Sequence, residues 1–230
     1  MSAWDVIVTR TMIEADQSTL SKDEAEAVHM YKERIDRVRT EADNLNKVLR
    51  EECPLTCSGH DRTMIPSSGW ARVISPFIYE IEMLNREAVK HGIIANFDQV
   101  KEKFGTYRGY YSVLHTKTMI GDRDISEHLF KEDHAYMTWF DNKIEAIVRE
   151  IENKCLEVCE HCGYQFSSET PRCCTTGWTS YVCQSCANAI GSVYTIEGRK
   201  KKNSKEYLYF KEGKEVESPY KHLEESESGA

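Results

Sequence analysis

Two Cys-x-x-Cys pairs, Cys159-Glu-His-Cys162 and Cys183-Gln-Ser-Cys186, stand twenty residues apart. This spacing constrains the fold more than any other feature of the chain. A two-residue gap lets both sulfurs of a tight turn face one centre, and a second pair completes a tetrahedron. Zn²⁺ accepts such a set, with Zn–S near ~2.3 Å. Four thiolates fill its coordination sphere, so the expected role is to hold a small fold together, not to activate water. Gly163, directly after the first pair, suits a left-handed turn position. Between the pairs, Gly177-Trp-Thr-Ser-Tyr-Val182 alternates as a strand does, and Trp178 and Phe166 are candidates for an apolar cap over the metal.

Seven of the nine cysteines lie between Cys155 and Cys186. The first eleven residues hold no basic leader and carry Asp5, so no signal peptide is expected. Clustered cysteines in a reducing compartment read as metal ligands, not disulfides. One structural zinc on Cys159, Cys162, Cys183 and Cys186 is therefore expected, and a second ion is an alternative. Its candidate ligands are Cys155, Cys173 and Cys174, which could share thiolates with the first site, or Cys53, Cys57 and His60, which fall within eight residues but lack an obvious fourth partner. The ordinary reading of these extra cysteines is buried small side chains or free thiols.

The long helix is the second strong signal. Ser21-Lys-Asp-Glu24 forms a capping box, and no Gly or Pro follows for thirty residues. Val28, Ile35, Ala42 and Leu49 fall seven apart, and Tyr31, Val38 and Leu45 do so three positions later. A helix over 21–51 would be ~46 Å long. Its narrow seam fits either an amphipathic helix covering the body or a coiled-coil arm for self-association. Met1–Ser18 is mildly apolar and reads as a short element docking on the body. A core helix runs through Trp70, Ile74, Ile78 and Ile81, with Pro76 marking a kink or its first turn. Tyr107–Leu114 alternates and reads as one strand after a turn at Gly105. Ser126–Val158 reads as one or two helices whose apolar positions could pack antiparallel on the 21–51 helix. Tyr207–Phe210 and Val216 flank Glu212-Gly213 as a hairpin, and the Glu/Ser-rich residues from 217 read as disordered.

Lys and Arg number 30 against 38 Asp and Glu, a net charge of −8. That excludes a surface that grips nucleic acid everywhere, though not a local patch. The local candidate is Arg199, Lys200, Lys201, Lys202 and Lys205, followed by Tyr207, Tyr209 and Phe210. Cations beside aromatics suit phosphates and bases, and a solvated hairpin turn is the plainer reading. His60-Asp61, Asp122-Arg-Asp124 and Asp133-His134 are short acidic–basic matches without a phosphate loop, a nucleophile elbow or a zinc-protease helix around them. No catalytic residue is assigned, and a metal-dependent hydrolase or nuclease stays the weaker alternative. No apolar run approaches the ~18 residues of a membrane span.

Val100-Lys-Glu-Lys-Phe-Gly-Thr-Tyr-Arg-Gly-Tyr-Tyr111 resembles a segment of small phage and prophage proteins whose hallmark is K-E-K-F-G-T-L-R-F-Y. Gly69-Trp70, Cys159-Glu-His-Cys162-Gly163, Gly177-Trp178 and Cys183–Cys186 match their remaining motifs in order, over roughly 68–190. Tyr107 replaces their Leu and Gly109 their Phe. The resemblance implies a phage-encoded, zinc-containing accessory protein in the cytoplasm of an infected bacterium, and implies no reaction.

The expected fold is α+β and mainly helical. A helical body over 1–154 precedes a four-cysteine, zinc-ribbon-like module with a hairpin over 155–216 and a tail over 217–230. The expected function is a protein-interaction module of host-takeover or anti-defence type. Its partner would be a host or phage protein, with homo-oligomerisation through the 21–51 helix or nucleic-acid binding as alternatives, and no membrane.

Overall fold

Ser21 opens the long helix as its capping box requires. In the computed structural model, which describes residues 6–57, 63–115, 126–200 and 206–220, the Ser21 amide donates to Glu24 Oε2 at 2.8 Å, and the Glu24 amide to Ser21 Oγ at 3.3 Å. Helix α2 then runs unbroken over Lys22–Glu52. The seam positions Val28, Ile35, Ala42 and Leu49 are all buried. These four positions thus mark the buried side of the helix.

The architecture is mixed α and β. Contacts divide the chain into two compact units, Met1–Arg39 with Glu157–Ala230, and Thr40–Leu156. The expected boundary near 154 is close to one of these limits. The N-terminal segment departs from expectation, because it groups with the cysteines and not with the helical body. Thr9 caps the short helix α1 (Arg10–Glu14). Val8 is buried with Ala27 and Val28, flanked by Val6, Met12 and Ile13.

In the second unit, a short helix α3 (Pro54–Cys57) leads toward α4 (Ala71–Ala88). Pro76 sits inside α4 on its exposed face, where water can satisfy the carbonyl it leaves unbonded. One strand was expected after α4, and the chain forms two. Strand β1 (Ile93–Lys103) pairs antiparallel with β2 (Thr106–His115), with a bulge between Phe97 and Gln99. The β1 burial pattern alternates from Ile93 to Phe97, but polar Asn96, Asp98 and Gln99 and the bulge mask that rhythm in the sequence. Helix α5 (Ser126–Cys155) is one continuous helix. It packs on α4 and the hairpin, not as a pair with α2. Its apolar residues Phe140, Ile144 and Ile151 are fully buried, as are Trp70, Ile74, Ile78 and Ile81.

A buried polar network that no motif announces ties this unit together. Glu82 Oε2 accepts from the Thr56 amide at 3.0 Å and the Thr56 hydroxyl at 2.9 Å. Arg86 Nε reaches Glu82 Oε1 at 3.1 Å. Asn85 donates to the Ala95 carbonyl at 2.8 Å and accepts from the Ala95 amide at 2.7 Å. One acidic and one amide side chain on α4 thus fix both α3 and β1. Tyr107 and Gly109 compensate each other. A Cβ at residue 109 would lie 2.9 Å from the Phe97 ring and 3.0 Å from the Tyr107 ring. The larger residue at 107 therefore demands the smaller one at 109.

The first unit carries a five-stranded antiparallel sheet, in the order β4 (Tyr181–Cys183), β3 (Arg172–Thr175), β5 (Tyr194–Lys200), β6 (Tyr207–Lys211), β7 (Lys214–Val216). Helix α6 (Gln184–Ile190) follows β4 and ends at Gly191, whose φ is 73°. The expected hairpin at Glu212-Gly213 is β6–β7. The expected strand over 177–182 is shorter, beginning at Tyr181, because Gly177–Ser180 form the connection from β3. The tail beyond 220 lies outside the described residues.

Candidate metal centre

The first cysteine pair sits in a turn closed by backbone bonds. The Cys159 amide donates to the Tyr164 carbonyl at 2.7 Å, and the Gly163 amide to the Cys159 carbonyl at 2.9 Å. Gly163 takes φ 69°, the left-handed position expected of it. Val158 and Gln165 bridge across the base of this turn. The second pair differs from a ribbon's second turn: Cys183 ends β4 and occupies the residue before α6 without a side-chain capping bond, and Cys186 lies in the first turn of that helix.

These elements bring Cys159, Cys162, Cys183 and Cys186 together, all four buried, with their sulfurs within 4.8 Å of one another. The Sγ atoms of Cys162 and Cys183 are 3.7 Å apart. A disulfide needs ~2.05 Å. Two corners of a tetrahedron with ~2.3 Å arms lie about 3.8 Å apart, which is the observed spacing. The donor set therefore fits a tetrahedral, thiophilic divalent ion.

The thiols do not ionise alike. Hydrogen bonds from Cys159, Cys183 and Cys186 hold Cys162 far below the thiol range. Cys183 is also lowered, first by its bond with Cys159. Burial pushes Cys159 well above that range, and hydrogen bonding within the cluster does the same to Cys186. Crowded sulfurs thus share protons, and only a cation at their centre stabilises all four as thiolates.

Helix α2 supplies the surroundings. Ile35 belongs to the same buried cluster as the four cysteines, Cys173, Val182, Tyr194 and Phe210, with Tyr31 and Phe166 packed against it. The Arg34 guanidinium lies between two rings, 5.2 Å from the centre of Tyr31 and 4.9 Å from that of Tyr164. Burial works to lower its pKa, but the thiolates of Cys162, Cys186 and Cys183 overcome this and raise it. Burial also raises the Tyr31 pKa, followed by the charge of Cys186 and a hydrogen bond to it. An arginine and a tyrosine more than 120 residues upstream thus stand beside the sulfurs, where no sequence motif would place them. Arg34 also borders an open groove of ≈ 680 Å³ lined by Val8, Tyr31, Arg37 and Tyr164.

Phe166 packs on the cluster as expected. Trp178 does not cap it: the side chain is 72% exposed, because it sits in the β3–β4 connection. Cys173 is buried in the sheet core, and burial pushes its thiol up to about 12. Cys174 is half-buried and raised by burial. Cys155, at the end of α5, is buried and raised for the same reason. None joins the four-cysteine group, the one such group among the described residues. Cys53 and Cys57 lie one helical turn apart, pushed by burial to about 11 and about 12. Cys53 is buried and Cys57 half-buried, and His60 lies outside the described residues.

Of the basic patch, Arg199 lies 6.0 Å over the Phe210 ring, and Lys200 Nζ lies 5.5 Å over Tyr207, a ring 50% exposed. Lys201, Lys202 and Lys205 lie outside the described residues, as do Asp61, Asp122 and Asp124. Arg108 pairs with Glu152 at 3.2 Å. Its strand packs against α5 in the second unit. No helix among the described residues is long and apolar enough to cross a membrane. Comparison with protein-family models, with curated proteins and with solved structures finds no match to this chain.

Proposed function

We propose that this chain is a phage-type zinc-binding accessory protein, a protein-interaction module of host-takeover or anti-defence type whose single Zn²⁺ is structural. The carrying observation is the closed geometry at Cys159, Cys162, Cys183 and Cys186. Four buried sulfurs within 4.8 Å of one another, with Cys162 and Cys183 3.7 Å apart, leave an ion held by all of them no open position for substrate or water. Such an ion contributes folding energy, and its module then offers a rigid surface. The resemblance over 68–190 supports the phage setting, the bacterial cytoplasm and a host or phage protein as partner. Burial of the α2 seam favours a partner other than a second copy along that helix. The test is affinity capture from infected cells, followed by calorimetry with the purified partner. Saturable binding that is lost in Cys162→Ser supports the reading. A chain that binds no purified candidate, or hydrolyses a phosphodiester only with an added divalent ion, contradicts it.

A second reading rests on Arg199 over Phe210 and Lys200 over Tyr207. Cation-capped rings at a sheet end suit a nucleic-acid-binding regulator working through 199–205. Gel shifts at two salt concentrations test it. Binding that survives replacement of Lys200, Lys201 and Lys202 by Glu removes the patch from consideration.

A further inference from the structure

The tip of the β1–β2 hairpin is built against local preference. Phe104 and Gly105 form the two-residue turn between Lys103 and Thr106, with φ of 55° and 73°. Both positions of such a turn need positive φ, which Gly or Asn adopts readily and a bulky residue resists. Gly105 meets the requirement and Phe104 does not. The turn is held in spite of this: the Gly105 amide donates to Glu102 Oε1 at 2.6 Å, and the Thr106 hydroxyl to the Lys103 carbonyl at 2.6 Å. Core packing cannot be why phenylalanine stands there, since the side chain is 62% exposed. A strained, exposed aromatic held by its surroundings marks a contact site.

The neighbouring residues say what it contacts. By the hairpin register, Gln99, Lys101 and Lys103 share one face with Thr106, Arg108 and Tyr110. The opposite face carries Val100 and Tyr107, both buried. On the first face Arg108 is paired with Glu152 of α5, Tyr110 is 47% exposed, and Lys101 Nζ lies 4.9 Å from its ring centre. Lys103 Nζ lies 5.4 Å from the centre of the Phe104 ring. The Lys101 ammonium is held by the Gln99 amide oxygen at 2.7 Å, a neutral acceptor that leaves its charge available. Two exposed rings, each with an ammonium over one face, alternate along a ribbon inside a chain of net charge −8. This is local positive charge combined with flat stacking surface, and the exposed tip shows no aliphatic side chain of the kind a protein partner's core would bury.

The geometry points to a single-stranded nucleic acid as the occupant of this face, with Phe104 and Tyr110 as stacking platforms for bases and Lys101 and Lys103 as phosphate contacts. Stacking on an aromatic ring tolerates any base, so the surface is one of low sequence preference. The inference goes beyond the interaction reading above and is independent of the metal, because the hairpin belongs to the unit without the four clustered cysteines.

The test uses the full chain and fluorescein-labelled oligothymidylate and oligouridylate of about 16 nucleotides. Anisotropy is read between about 50 and 200 mM salt. Both single strands should bind, and the same sequence as a duplex should bind less well. Phe104→Gly and Phe104→Asn should each weaken binding about tenfold or more. The same two variants should raise the melting temperature by about 2–4 °C, because they relieve the turn. Lys101→Gln and Lys103→Gln should each lower the salt slope by about 0.7. The inference is overturned if the native chain does not bind at low salt, or if both Phe104 variants bind as it does. A lower melting temperature in both Phe104 variants would also overturn it. So would binding lost only on replacing Lys200, Lys201 and Lys202, which would move the contact to the sheet end. Capture of polyglutamate in place of the oligonucleotides would make this a protein-docking face and contradict the assignment.

Discussion

Arg34 is the most informative residue to perturb, because nothing in the sequence ties it to the cysteines. Zn²⁺ with four thiolates carries two net negative charges. Arg34 lies half-buried beside three of the sulfurs, 5.2 Å from the centre of the Tyr31 ring and 4.9 Å from that of Tyr164. Replacing it by Met keeps the bulk and removes the charge. A pair of unit charges at contact, under the screening usual near a protein surface, interacts by about 4 kcal/mol, which is a ceiling. Groups that support metal ligands from outside typically account for 10–100-fold in affinity, or about 1.4–2.8 kcal/mol. The groove beside Arg34 admits water that would partly replace its charge, so the lower part of that range applies. Zinc affinity, measured by competition with a chromophoric chelator, should fall about tenfold in Arg34→Met. Arg34→Lys keeps the charge but not the guanidinium's contacts with both rings, and should fall less. Far-UV circular dichroism of the zinc-loaded variants should match the native protein. An affinity in Arg34→Met equal to the native value would refute the claim that the guanidinium balances the thiolates.

Proton coupling gives a second check. Burial and crowding raise Cys159 and Cys186 while hydrogen bonds lower Cys162 and Cys183, so thiols that still carry protons must release them when zinc binds. Since protons compete with the ion, apparent affinity should climb with pH, and a flat profile would contradict this. The Tyr107 hydroxyl is fully buried and has no partner among the described residues. Tyr107→Phe should therefore leave the melting temperature unchanged or raise it, since such an orphan costs about 1–3 kcal/mol; a clear fall would reveal a partner. Gly109→Ala should destabilise by about 1–3 kcal/mol in denaturant titration, through its contacts with Phe97 and Tyr107. Asn85→Leu should cost at least about 2 kcal/mol by the same assay, because it strips both backbone groups of Ala95. Native-like stability in either variant would show that the local packing or network is misjudged.

Local signals with a fixed period or spacing were legible in the chain. The capping box at Ser21, the seam from Val28 to Leu49, the doubled cysteine pairs and the left-handed Gly163 each depend on a few neighbouring residues, and each keeps its form in the fold. What stayed hidden depends on distant partners. Strand β1 carries polar residues and a bulge that erase its alternation. The Glu82–Thr56–Asn85 network joins three elements through side chains that read as ordinary surface types. Trp178 looked like a cap because it lies between the cysteine pairs in sequence, yet its connection turns it outward. Arg34 and Tyr31 looked like one position of a charged face and one of the seam, and only the docking of α2 makes them neighbours of the sulfurs. The N-terminal segment joins the cysteine unit for the same reason, since short apolar runs do not name the surface they cover.

The most direct test of the closed four-sulfur centre is native mass spectrometry with parallel alkylation mapping of the purified full chain. One zinc ion per chain is expected, with Cys159, Cys162, Cys183 and Cys186 protected from alkylation until a chelator removes the metal. A metal-free chain, or one in which those four cysteines are joined as disulfides, would contradict it.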